Sequence, residues 1–386
     1  VNLINRINFD YGEDSFENFR RRQYDLIPNF IELCIDFISK QNNNYLNIKG
    51  LDFDEKICYK DLYYSELNTL MCSIEDLDDE DKEKLFFKCY IPKLIHDNYF
   101  YLNGNFYVPT VYLLDKPIVV KKKSILISTL FNSLTFNFER NVVTFTGVNI
   151  PIHLFVLLLV YHDESIGNDF INFFNFVKNN INKKFKLKEE SEENIITYFS
   201  KNLNCDANTD SIIKRFDNLM FDEYTQFLYN QCYQMNEINL ITVVRKMIDI
   251  TLNNQNISFV DLKHKRLVFI ELLLQPILKK VAIIAGQTAR GFKVDQLKMN
   301  LFDIIKNFNT FLKSNYLYDT GNLYSCLLQH KVSMLNPASE RGPREISSIH
   351  ESHFSKICPV TVSSQEPGKT VSIVPGTKVD LIGQIL

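Results

Sequence analysis

Tryptophan is absent from the 386 residues, and glycine occupies only 12 of them, about 3% against a usual share near 7%. So little glycine argues against propellers, glycine-rich phosphate-loop arrays and fibrous repeats. No two of the eight cysteines (34, 58, 72, 89, 205, 232, 326 and 358) are spaced C-x-x-C, and together they make no regular framework. Dispersed thiols of this kind suit a reducing, cytoplasmic compartment. No signal-peptide pattern opens the sequence. The longest apolar run, Leu154 to Tyr161, falls far short of the ~20 residues that a membrane span needs. Charge of one sign is not in excess either. The 43 basic and 46 acidic side chains leave a formal net charge of −3, so no global basic field advertises nucleic acid.

What the sequence does hold is apolar surface. Hydrophobic residues make up 45% and charged residues 23%, with 31 Phe and 19 Tyr, enough to bury a sizeable core. The length suggests two or three domains. Asn, Ile, Lys and Phe are over-used, as an AT-rich coding sequence produces; that bias reports a genome, not a function.

Residues 11–40 carry Phe16, Phe19, Tyr24, Ile27, Phe30, Ile31, Cys34, Ile35 and Ile38 at helical spacing. Pro28 divides the stretch, which predicts two helices with a kink or turn between them. From Lys88 the period changes to two. Asn103-Gly104, between two aromatic runs, is a strong hairpin signal because both turn positions need positive φ. Strand-like pieces continue through residues 117–147. A buried helix is expected after Ile150-Pro151, another opened by Asp163, Glu164 and Ser165, and mostly helix over 166–255. Leu262 to Gly286 reads as one long apolar helix and Val294 to Lys313 as another, before short β-type segments from Tyr316 onward. The last segment, "TVSIVPGTKVDLIGQIL", alternates like sheet up to Leu386. An unpaired apolar strand is an aggregation liability, so the expectation is that something pairs with it: either the sequence is a fragment or another polypeptide completes this domain.

Several motifs weaken on inspection. Gly368-Lys369-Thr370 would need a glycine at Ser363 and a following helix to be a phosphate loop, and β-like sequence follows instead. Gly286 and Gly291 have that loop's spacing, but Phe292 stands where lysine is required. Asp206, Asn208 and Asp210 give half a calcium loop and read better as a helix cap. His350, His353 and Cys358 lack a nearby fourth zinc ligand. Arg20 to Arg22 and Lys121 to Lys123 read as solvated faces. The compact set Arg341, Arg344, Glu345, His350, His353 and Lys356 differs. It follows Pro/Gly punctuation between apolar flanks, and guanidinium and ammonium groups on a loop suit phosphate contacts, although a solvated loop with a local ion pair has the same composition.

Arg344 to Pro359, "REISSIHESHFSKICP", resembles the fork-region signature of the β subunit of multisubunit RNA polymerases, R-E-x-R-x-L-H-x-T-H-W-G-x-x-C-P. Arg344, Glu345, His350, His353, Cys358 and Pro359 match it, Ser352 and Phe354 are similar, and Ser347 and Ser355 replace an arginine and a glycine. Other segments follow that subunit in colinear order. "YIPKLIHDNYFYLNGNFYV" is similar to its I-P-x-M…G-x-F-x-I-N-G stretch, and "NIPIHLFVLLLVYHDESI" to a later helix whose Arg-Ala-Leu-Gly core is lost here. "DLKHKRLVFIELLL" shares Asp261, Lys265, Arg266, Glu271 and Leu272 with a further stretch. "DTGNLYSCLLQHKVSMLNP" resembles the segment before the fork, and "DSFENF" the opening. After Cys-Pro the family's T-P-E-G becomes "VSSQEPG", with Glu366 as its acid.

The resemblance implies an α+β fold: the protrusion, lobe and fork of a β-like subunit, of the split kind found in giant-phage non-virion RNA polymerases. It implies protrusion-like sequence over 1–130, a mostly helical lobe over 131–260, a return to protrusion-like helices over 261–315, and the fork with the start of a partner-completed module over 316–386. It assigns Arg341, Arg344, Lys356, Glu366 and Lys369 to nucleic-acid contact. Glu345, His350, His353, Cys358 and Pro359 become the framework of the fork. No catalytic or metal-binding residue is expected in this chain; Mg²⁺ would sit on a β′-like partner. The other implied partners are a C-terminal β-like chain, a promoter-specificity subunit, template DNA and nascent RNA, in the cytoplasm of an infected bacterial host and with no membrane. The alternatives are a viral nucleic-acid-binding accessory protein and a structural virion protein.

Overall fold

The computed structural model describes residues 13–41, 46–60, 63–76, 85–95, 99–102, 105–121, 123–181, 190–203, 205–253, 260–275, 278, 316–317, 330–334, 348–359 and 370–386. Arg341, Arg344, Glu345, Glu366, Lys369 and the helix expected over Val294 to Lys313 lie outside the described residues. Helices and sheets are mixed, as an α+β chain requires. The chain divides into two compact units, Val1–Leu114 with Phe259–Leu386, and Asp115–Ser258.

The first unit opens with α1 (Phe16–Asp25) and α2 (Ile27–Gln41). Ile27, Phe30, Ile31, Cys34 and Ile38 of α2 are buried, the i, i+3, i+4 stripe that the sequence displays. The break falls at Leu26 rather than at Pro28, because proline in a first helical turn forfeits no hydrogen bond. Arg20 is no solvated side chain. It is 1% exposed, its guanidinium lies 5.5 Å from the centre of the Phe16 ring, and Nε donates to the Pro109 carbonyl at 3.0 Å. Periodicity puts Arg20 on the same face as Phe16, which is how it comes to be buried.

Three antiparallel strands follow: β1 (Leu46–Lys60), β2 (Tyr63–Asp76) and β3 (Leu85–Pro92), in that order in the sheet. Next come β4 (Leu94–Ile95), β5 (Tyr99–Leu102), β6 (Asn105–Val108) and β7 (Val111–Asp115). β5 and β6 pair with Leu102 opposite Asn105, the register of a two-residue hairpin connection.

In the second unit, β8 (Ile118–Val120), β9 (Ser124–Ser128), β10 (Ser133–Asn137), β11 (Val142–Phe145) and β12 (Val148–Pro151) form one antiparallel meander. Buried and half-exposed residues alternate along β9 and β11, as in a sheet with one covered face. Thr146 and Gly147, at φ 46° and 86°, make the last turn. A boundary at 130/131 would part β9 from β10, two hydrogen-bonded neighbours, so the unit begins at Asp115 instead. Among the described residues six helices follow the sheet: α3 (Ile152–His162), α4 (Ile166–Asn180), α5 (Glu192–Leu203), α6 (Thr209–Met220), α7 (Glu223–Tyr233) and α8 (Leu240–Asn253). Asn208 caps α6 by accepting from the Asp210 amide, so the calcium-like spacing is a helix start. Phe216 of α6 sits among Phe145, Phe155 and Phe199 at centroid distances of 4.9, 5.7 and 6.1 Å.

The chain then returns to the first unit. A 3-10 turn (Leu262–His264) leads into β13 (Lys265–Val268), and helix resumes only at residues 270–275. The single long helix expected from Leu262 is therefore wrong at its start. All four residues of β13 are buried, and a strand covered on both faces shows no alternation to set it apart from a buried helix. β14 (Tyr316–Leu317) joins a sheet in the order β14-β6-β5-β4, and β15 (Lys331–Ser333) and β16 (Thr370–Ser372) join one in the order β13-β7-β15-β16. Thr370 thus opens a strand, where a phosphate loop would require a helix. Among the described residues no helix is long and apolar enough to cross a membrane.

Candidate functional site

Three segments far apart in sequence meet in the first unit: 260–271, 348–359 and 376–386. Asp261 starts the first by capping the Leu262–His264 turn, accepting from the Lys263 amide at 3.0 Å. The second contains a matching short turn, Glu351–His353, in which His350 and His353 cap each other. Ser352 and His353 of that turn reach across to the first segment. Ser352 Oγ accepts from the Leu262 amide at 3.0 Å, and His353 Nε2 bonds the Val260 carbonyl at 2.7 Å. His350 Nδ1 lies 3.9 Å from Asp261 Oδ1.

The electrostatics follow from this packing. His353 is 3% exposed, and burial lowers its imidazole below the ordinary value. Burial pushes the Asp261 carboxyl up, but the Lys263 amide, the Ser352 hydroxyl and His350 together hold it below the usual carboxylate range. Beyond the turn, the Cys358 amide donates to the Ser372 carbonyl at 2.9 Å and the Val374 amide to the Lys356 carbonyl at 2.9 Å. The 348–359 segment is thereby stitched to β16 on one side and to 260–264 on the other.

The third segment seals the first. Arg266 makes a bidentate pair with Glu271, at 2.8 and 2.5 Å, and its guanidinium also donates to the Ile382 carbonyl at 3.4 Å. The Leu267 amide donates to the Gly383 carbonyl at 2.7 Å. Gly383 has φ 89°, and a Cβ there would overlap the Leu267 carbonyl. The same segment reaches α1. Arg22 donates to the Val379 carbonyl at 2.8 Å, Gln23 to the Leu381 carbonyl, and the Val379 amide to Asp14 at 2.8 Å. The sheet-like end thus pairs within its own chain, through bridges from Lys378 to Ser15 and from Val379 to Ile385. This pairing is met within the chain and needs no second polypeptide. A strand's partner 363 positions earlier (378 to 15) leaves no local trace in the sequence.

Of the residues assigned to nucleic-acid contact, Lys356 alone is described. It is half-buried, with its backbone closing the turn by donating to the His353 carbonyl at 3.1 Å. Among the framework residues, His350 and His353 come together, Cys358 is half-buried and Pro359 is exposed. Sequence reasoning missed the Val260 carbonyl and the Arg266–Glu271 pairing. A carbonyl carries no side-chain signature, and i, i+5 spacing belongs to no regular period. Two large apolar side chains of the segment, Ile349 and Phe354, are exposed at 52% and 70%. Among the described residues no group of three or more His, Cys, Asp or Glu could hold a metal ion.

What this arrangement does is hold a loop: the caps and ties of 350–353 fasten 348–359 to 260–264. Comparison with protein-family models gives no match, and comparison with curated proteins gives none either.

Proposed function

We propose that this chain is the N-terminal part of a split β-like subunit of a multisubunit DNA-dependent RNA polymerase, carrying its protrusion, lobe and fork. In that assembly it walls the DNA cleft and sets the fork loop where the downstream duplex separates. One observation above all supports the reading. The segments "DLKHKRLVFIELLL" and "REISSIHESHFSKICP" each resemble a motif of that subunit, and they share a polar seam although 90 or more residues separate the bonded positions. A chance likeness of two isolated stretches gives no reason for them to meet.

In this reading the chain's own residues bind and position. His350 and His353 order the fork by hydrogen bonds. Arg341 and Arg344, flanking Pro343, and Lys356 offer positive charge to DNA phosphates, contacts that are independent of base sequence. Magnesium and the nucleotidyl-transfer chemistry belong to the β′-like partner, so the isolated chain does not extend a primed RNA.

Purification of the tagged chain from infected cells tests this. Large β-like and β′-like chains should accompany it, and the assembly should transcribe. Replacing Arg341 and Arg344 together with Ala should weaken template binding of the reassembled enzyme by roughly 1–3 kcal/mol, with the loss shrinking as salt rises. DNA affinity without partner chains would favour an accessory protein, and self-assembly with little salt-dependent DNA binding would favour a virion protein; either result would sink the proposal.

A further inference from the structure

The seam between 350–353 and 260–262 is built around one protonation state. His353 Nε2 faces the Val260 carbonyl at 2.7 Å, and a carbonyl only accepts, so Nε2 carries a hydrogen. Nδ1 of the same ring faces the His350 amide at 3.5 Å, and an amide only donates, so Nδ1 carries a lone pair. The neutral Nε2–H tautomer satisfies both contacts. The imidazolium would set a second N–H against the His350 N–H at a ring that is 3% exposed. In the same reciprocal cap, His350 Nδ1 accepts from the Ser352 amide at 3.2 Å.

We propose that the 350–353 turn is a proton-sensitive catch: uptake of a proton at His353 Nδ1 breaks the reciprocal cap and frees 348–359 from 260–264. Two bonds go with it, the Val260 carbonyl tie and the contact of the Leu262 amide with Ser352 Oγ. Among the described residues, two titratable groups act on His353. His350, on its own turn, opposes protonation, and Asp261, on the facing segment, favours it. Burial, with His350, outweighs the Val260 carbonyl and Asp261, so the folded imidazole lies below its ordinary value. The sign follows. A group whose folded pKa is lowered loses its stabilising effect as pH falls below the unfolded value, near 6.5 for histidine, and the loss continues down to the folded pKa. The exposed Ile349 and Phe354 flank the turn, so opening the catch changes how two apolar side chains are presented. This inference does not rest on the polymerase reading.

The test is amide hydrogen exchange on the full chain at pH 7.5 and pH 5.5, corrected for the intrinsic rate, with ¹⁵N titration of the histidine rings. In the wild type the amides of Leu262, Phe354 and Ile357 should lose protection severalfold between the two pH values, up to about tenfold, the limit set by protonating an open-state imidazole of pKa near 6.5. Amides of β7 and β15 report opening of the whole unit and should not follow. His353→Gln keeps a donor for Val260 but cannot titrate, so its exchange should be flat. A wild type that is itself flat, or a His353→Gln variant that accelerates equally, would overturn the proposal. If that variant fails to fold, the wild-type ring decides. An Nδ1–H tautomer at pH 7.5, or a His353 pKa at or above 6.5, would also overturn it.

Discussion

Among the described residues, the unit formed by Asp115–Ser258 buries hydrocarbon and aromatic rings, with Asp222, Thr225 and Thr251 as its buried polar side chains. The unit formed by Val1–Leu114 and Phe259–Leu386 buries Arg20, Lys265, Arg266 and His353 beside its apolar side chains. The first is one continuous stretch of chain whose helices and sheet follow each other in sequence. The second is closed by pairing across more than 350 positions, as between Arg22 and Val379. A contiguous core can select its partners by apolar periodicity alone, because neighbours in sequence are neighbours in space. Segments that meet from opposite ends of a chain gain register from hydrogen bonds and charge pairs that fit one way only.

That contrast can be broken experimentally, beginning where the effect is largest. The stretch 115–258 should keep its helical spectrum and melt cooperatively when expressed alone. In it, Phe216→Ala should cost about 3–5 kcal/mol, since a fully buried ring among three others leaves a cavity. A fragment that is unfolded in native buffer would show its core is not self-sufficient. Arg266→Ala should cost the full chain about 3 kcal/mol in urea unfolding, because it strands the half-buried Glu271 carboxylate. Replacing both partners at once, as Arg266→Met with Glu271→Leu, should cost less than the single change. If the double variant is the worse of the two, the pair is not what the unit relies on.

Gly383→Ala is a narrower probe of the same unit. Overlap with the Leu267 carbonyl and a φ of 89° should together destabilise it by about 2–3 kcal/mol. Unchanged stability would mean that the close approach is not maintained in solution. The smallest effect sharpens the contrast from the other side. Burial raises the Asp222 carboxyl to about 6, against the pull of its bonds to Thr225. A carboxyl raised in the folded state destabilises fully above that pH, and the penalty fades as pH falls from about 6 towards 4. The Asp115–Ser258 unit should therefore gain on the order of 2 kcal/mol on acidification from this group. Asp222→Asn, which keeps a capping oxygen, should remove that gain. A thermal melt of the unit at pH 7.5 and pH 4.5 with and without the substitution measures it.

The same contrast explains which parts were readable in sequence. Ile212, Ile213, Phe216 and Met220 repeat with the helical period, and α6 lies on them; "SILIS" alternates, and β9 lies on it. Both belong to the contiguous unit. In the other unit the reading failed at β13, whose four buried residues hide their period, and at 376–386, whose partners lie at the far end of the chain. Arg20 was misread for a related reason: its charge suggested solvent, but its position relative to Phe16 placed it inside. In the candidate site, the three-residue spacing of the two histidines was legible in the sequence. Their tie to Val260 was not, since the acceptor is backbone.

The closure of α1 by residues 376–384 also sets a clock. Residues 14–23 leave the ribosome before the carbonyls of Val379 and Leu381 that receive Arg22 and Gln23, which are 357 and 358 positions behind. At 5–20 residues per second, that interval is roughly 20–70 s. For that time the first helix has its apolar stripe formed and its last partners unmade. The Asp115–Ser258 unit can be complete well before then, so each newly made chain passes through a stage in which one core is finished and the other waits for its closing segment.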